Sequence, residues 1–229
     1  MSRDTLKILA SEVVACTLCP RLVAHRRYMA QIKRRAYLDW DYWGKPVPPF
    51  GPANARLLIV GLAPAAHGGN RTGRMFTGDR SGDFLYRALY ETGFASQPQS
   101  QSRDDGLTLT DAYITAAVRC APPDNKPTPE EFLTCRPYLK RELDLLKNLR
   151  VVVALGKLAF DAYLGILRDR GVIRSRAAFA FGHGAMHDIP NAPVLIASYH
   201  PSQQNTSTGK LTAEMLRQVF ERALAILQE

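Results

Sequence analysis

Four cysteines, Cys16, Cys19, Cys120 and Cys135, carry the most constrained chemistry in this chain. Cys16 and Cys19 form a C-x2-C pair, and in a reducing compartment four thiols so arranged suggest a metal site rather than disulfides. Spacing alone suits tetrahedral zinc at least as well as an iron–sulfur cluster. A second concentration of reactive types lies in three loops. The first, Gly61 to Asp79, is rich in glycine and holds Phe76 near its end; the second, from Cys120, holds Asn125; the third holds His200, followed by Pro201, Ser202, Gln203 and Gln204. A histidine directly after a buried strand can donate a hydrogen bond to a developing anion, and it can equally make a structural one. Asp79 is placed either to orient a water or to cap a helix beginning near Ser81. The glycines permit positive φ and close backbone approach. The first loop nevertheless has neither the Gly-Lys-Ser/Thr ending of a phosphate loop nor the spaced glycines of a dinucleotide fold. Taken alone, Phe76 reads as a core aromatic and Asn125 as a turn residue.

The elements that must position these residues alternate in type. Short continuous apolar runs over 56–61, 113–118, 151–155 and 194–198 have the composition of buried parallel strands. Helical periodicity covers 4–15, 81–92, 157–168 and 212–227, and Thr128-Pro129-Glu130-Glu131 is a capping box that opens a further helix carrying Cys135. The basic stretch 21–38 is expected to continue as helix, and 40–55, with Trp40, Trp43 and four prolines, as an aromatic-anchored loop. The expected fold is α/β: a three-layer α/β/α arrangement, one domain over 1–229, with a central four-stranded parallel sheet and helices on both faces. Each of the three loops then follows the carboxyl end of a strand, the edge at which open α/β sheets bind ligands. One composite site is the economical reading.

The formal net charge is +9, with 30 Lys and Arg against 21 Asp and Glu. Such an excess favours a polyanionic partner, although a basic solubilising surface would have the same composition. No apolar run reaches the roughly 18–20 residues of a membrane span. The start of the chain lacks a basic-then-apolar leader pattern. A monomer inside the cell, in the cytoplasm and without a membrane partner, is expected.

The segments GLAPAAHGGNRTGRMFTGD, TAAVRCAPPDNKPTP and SYHPSQQNT, with CTLCPRLV at 16–23 and YWGKPVPPFG at 42–51, resemble signature segments of the uracil-DNA glycosylase superfamily, and in particular its fifth, iron–sulfur type. They occur in family order across nearly the whole chain. The resemblance implies a DNA-repair enzyme that hydrolyses the N-glycosidic bond of uracil, leaving an abasic site without strand cleavage. Hypoxanthine and other deaminated bases are further candidate substrates. The resemblance also implies that Cys16, Cys19, Cys120 and Cys135 hold a 4Fe–4S cluster, with zinc as the lesser alternative. Roles for single residues follow from it too. Gly61, Leu62, Ala63 and Pro64 border the base pocket, Phe76 stacks on the flipped base, and His200 hydrogen-bonds the leaving base. Asn125 holds the attacking water, and Pro201, Ser202, Gln203 and Gln204 enter the minor groove. Leu62 and Ala63 are apolar where other types carry a water-orienting carboxylate or Asn, which leaves Asp79 as the nearest carboxylate. A non-catalytic binder of damaged or single-stranded DNA, or a cluster-bearing electron carrier, would keep the same fold and metal.

Overall fold

In the computed structural model, which describes residues 4–229, the four apolar runs become β1 (Leu57–Gly61), β2 (Ala112–Ala116), β3 (Val151–Leu155) and β5 (Val194–Ser198). They are mutually parallel, and β4 (Met186–His187) adds an antiparallel edge, so the order is β2-β1-β3-β5-β4. The first three residues of the domain expected over 1–229 lie outside the described residues. The expected four-stranded sheet is thus a five-stranded one. The extra strand is two residues long, and pairing rather than periodicity creates it.

Side chains alternate across the sheet. Leu57, Ile59, Val151 and Val153 pack with helices α4 (Arg80–Glu91) and α8 (Ala213–Gln228) on one face. Leu58, Val60, Val152 and Ala154 pack with α5 (Pro129–Leu145) and α6 (Lys157–Asp169) on the other. Burial on both faces explains the unbroken apolar runs, and each of these Leu, Ile and Val side chains stabilises the fold by about 1.5–3 kcal/mol. The chain passes from β1 to β2 on one side, then returns to place β3 on the other side of β1. That reversal puts a crevice outside the carboxyl ends of β1 and β3.

Helices α1 (Leu6–Ala15) and α2 (Pro20–Ile32) precede the sheet. The helix expected over 21–38 stops early. Lys33 takes φ +50° and donates its backbone N–H to Met29 O, and only a single 3-10 turn, Arg35–Tyr37, follows. Two short helices lie within segments read as loops, α3 (Gly69–Thr72) and α7 (Gln203–Ser207). Ser202 caps α7 by accepting from Asn205 N.

Candidate active site and cysteine chamber

The carboxyl end of β1 is Gly61, paired in register with Ala116 of β2. A Cβ on Gly61 would lie 2.7 Å from Cζ of Phe76, so the aromatic ring rests on bare backbone and no larger residue fits there. Phe76 itself has φ +52°, a left-handed conformation that bulky residues adopt only when their surroundings impose it. Its main-chain oxygen sits where a Cβ on Gly82 would fall, 1.8 Å away. Two glycines, at β1 and at the start of α4, therefore fix the aromatic at the crevice.

From the far side, His200 follows β5 and faces the same ring. The Phe76 and His200 ring centroids are 5.9 Å apart and tilted by 34°. Gly156, at the end of β3, has φ +94°, and a Cβ there would lie 3.3 Å from His200 Cβ. The His200 main-chain oxygen accepts from Asn205 Nδ2 at 2.8 Å, which ties the Pro201–Gln204 loop back onto the strand end. Burial lowers the His200 pKa to about 4, so the imidazole is neutral near pH 7. A neutral imidazole offers one N–H to a ligand and carries no second, acidic proton to transfer.

Asp79 caps α4 by accepting from Gly82 N at 2.9 Å. Its second oxygen lies against the Gly68 backbone, where an added Cβ would meet it at 1.9 Å. Burial raises its pKa, against the hydrogen bonds from Gly82 and Ser81. The structure gives Asp79 the cap. Asn125 closes a 3-10 turn, Pro123–Asn125, on the loop after β2 at the same sheet edge. Asp124 and Asn125 take φ +52° and +56°, consecutive left-handed positions that Asp and Asn tolerate best among residues with a side chain. The Asn125 side chain is exposed and makes no hydrogen bond among the described residues.

The glycine-rich loop is held by groups that sequence patterning does not distinguish from surface charge. Arg71 and Arg74 are 97% buried. Arg71 donates to His67 O and Gly78 O, at 2.8 and 2.7 Å. Arg74 pairs with Asp105 at 2.6 Å and donates to Ser100 and Thr77. Asn70 is fully buried and donates to Arg26 O. The clue in the sequence is the clustering of Asn70, Arg71 and Arg74 among glycines, where no solvated face could be built.

The four cysteines are unpaired and line one small chamber of about 20 Å3, bordered also by Leu22, Val118 and Tyr138. Cys16 ends α1, Cys19 caps α2, Cys120 follows β2 and Cys135 lies on α5. Burial pushes Cys120 up to about 12 and Cys135 up to about 11. Among the described residues no three His, Cys, Asp or Glu side chains converge closely enough to hold a single metal ion. Bidentate Arg21–Glu131 hydrogen bonds at 2.8 and 2.7 Å join α2 to α5 beside the chamber. On the sheet side Arg119 is fully enclosed and paired with Glu142 at 2.5 Å. Removing either partner would strand a buried charge at a cost of about 3–5 kcal/mol.

Residues 48–224 match the family model of the uracil DNA glycosylase superfamily. A type-5 uracil-DNA glycosylase of Thermus thermophilus is 51% identical over 211 residues, which are 92% of this chain and 93% of that protein. A type-5 uracil-DNA glycosylase of Pyrobaculum aerophilum is 49% identical over 215 residues, 94% and 90% of the two chains. More distantly, a type-4 uracil-DNA glycosylase of Thermotoga maritima is 28% identical over 227 residues, 99% and 96% of the two.

Proposed function

The chain belongs to the uracil-DNA glycosylase superfamily and resembles its type-5 members, and from that premise we propose that it hydrolyses the N-glycosidic bond of uracil in DNA. The observation that carries this reading is the pairing of Phe76 with His200 across the crevice at the end of β1. A base inside a duplex is out of reach, so it is rotated outward at a cost of a few kcal/mol, least for a weakly paired one. The ring of Phe76 offers the flipped base a stacking surface bordered by Gly61, Leu62, Ala63 and Pro64. Bond cleavage leaves negative charge on the base. His200, neutral because its half-buried ring is desolvated, stabilises that charge by donating its N–H and keeps the proton. Asn125 holds the water that attacks the sugar carbon. Asp79 supports the site through the α4 cap. No lysine nucleophile is required, so the product is an abasic site on an intact strand.

Cys16, Cys19, Cys120 and Cys135 would hold a 4Fe–4S cluster. Four thiols lining one apolar chamber would suit a polynuclear group that shares its thiolate ligands among several irons. Such a group would cross-link α1, α2 and α5 to the end of β2 and takes no part in hydrolysis.

The test is uracil release from a duplex oligonucleotide, with alkali to reveal abasic sites. Wild-type protein is expected to give strand breaks after alkali only. His200→Ala should slow single-turnover release by about 100- to 1000-fold, the scale of one lost oxyanion donor. Binding without release by the wild-type protein would replace this reading with that of a damage-binding protein.

A further inference from the structure

Resting on that reading, we propose that the segment from Arg27 to Lys45 is a DNA-backbone clamp seated on the loop that carries Phe76. The segment from Arg27 to Lys45 carries five Lys and Arg against two acids, Asp39 and Asp41. Arg27, Arg34, Arg35 and Lys45 are exposed, and among the described residues none of them pairs with a carboxylate. Three arginines on the covering helices behave differently. Arg87 pairs with Glu91 on α4, Arg141 of α5 with Asp4 and Glu12, and Arg217 of α8 with Glu214 and Glu221. Those helical cations are neutralised, whereas the arm is left charged.

The arm rests on the glycine-rich loop. The Arg71 guanidinium carbon lies 3.9 Å from the Tyr37 ring centre and 4.0 Å from that of Trp40, while its nitrogens grip His67 O and Gly78 O. Trp43 N and Gly44 N donate to Arg71 O and Asn70 O, at 2.9 and 3.0 Å. Tyr42 Oη and His67 Nδ1 are 3.0 Å apart, and the Arg34 backbone N–H donates to Tyr42 Oη. Two aromatic rings around one buried guanidinium thus lock the arm to the loop that carries Phe76. Cations without carboxylate partners, on an arm anchored to the loop that carries Phe76, fit one partner best: the phosphates of the strand flanking the flipped nucleotide. Each phosphate they neutralise releases condensed counterion.

The experiment compares equilibrium binding of a uracil-containing duplex, as log Kobs against log salt, for wild type and two triple variants of equal net charge. Replacing Arg34, Arg35 and Lys45 together by Ala should flatten the slope by about 2 to 3, at roughly 0.9 for each phosphate no longer neutralised. Replacing Arg87, Arg141 and Arg217 by Ala should change it by less than about 1. A further variant with Arg34→Lys and Arg35→Lys should keep the wild-type slope, since charge rather than shape is being read. Equal flattening in both triple variants, or none in the arm variant, overturns the clamp. Uracil release by wild type is assayed on the same duplex. Its absence overturns the proposed function, whereas unchanged slopes with intact release overturn the clamp alone.

Discussion

The side-chain amide of Asn70 donates to the main-chain oxygen of Arg26, 3.1 Å away, and so joins the loop that holds Phe76 to the helix that follows the first cysteine pair. The link is reinforced from both directions. The Arg26 guanidinium donates to Gly44 O at 2.6 Å and to Cys16 O at 3.3 Å, and Gly44 N donates back to Asn70 O. Whatever orders the cysteine chamber therefore also orders the reaction loop. Asn70→Ala should destabilise the protein by about 1–3 kcal/mol, because Arg26 O loses its buried donor. It should also speed hydrogen exchange across residues 66–79 more than across β3. Uniform or absent change in exchange would show that the loop is held independently of α2.

The half-buried His200, its ring desolvated in the crevice, makes stability depend on pH with a definite sign. Its folded pKa of about 4 lies below the ordinary value of 6.5. Between those values the unfolded imidazole takes up a proton that the folded one refuses. The stabilisation is complete above about 6.5 and is lost as pH falls toward 4. From pH 7.5 to 5.5 the wild type should lose about 1 kcal/mol more than His200→Gln. Denaturant unfolding of the two proteins at both pH values measures this difference, and equal losses would mean that His200 titrates as an exposed histidine does.

Burial makes Cys120 and Cys135 reluctant to ionise, so four thiolates in this chamber require a cationic group among them. Protein purified without oxygen should be brown, with broad absorption near roughly 400 nm from thiolate-to-iron charge transfer, and should contain iron and sulfide in equal amounts. Cys120→Ala and Cys135→Ala should lose the colour and the cooperative unfolding transition together. Colourless, folded, active protein with one zinc per chain would reject the cluster and leave the glycosylase reading untouched.

The strands and the longer helices are legible in the sequence because each is decided locally. Val151–Leu155 is apolar throughout, and Thr128 with Glu131 writes out its own capping box. The Trp43 anchor is legible as well: its Nε1 donates to Pro46 O, and Gly73 lies close under its ring. What stays hidden depends on partners distant in sequence. Met186–His187 is a strand only because β5 lies beside it. The break at Lys33 reflects an arm drawn onto Arg71, and Arg71 itself is buried between aromatics that no periodicity connects to it. Asp79 is ambiguous between cap and catalyst until Gly82 N is seen donating to it.

Substrate breadth turns on Ala116. It ends β2, is 99% buried, and stands in register with Gly61 beneath the Phe76 ring. It lies four residues before Cys120, and its side chain neither donates nor accepts a hydrogen bond. A site built to hydrogen-bond one base rejects analogues strongly because its own polar groups would be left unpaired. With no polar side chain there, the proposed site would discriminate by stacking against Phe76, by backbone donors and by His200. Excision rates should then follow how readily each base leaves the stack more than its hydrogen-bond pattern. Single-turnover assays on matched duplexes carrying uracil, hypoxanthine, xanthine or 5-hydroxymethyluracil are expected to show release of more than one of them. Ala116→Asn should narrow that range toward uracil. Strict uracil release by the wild type, with the other three at background, would show that a different group reads the base.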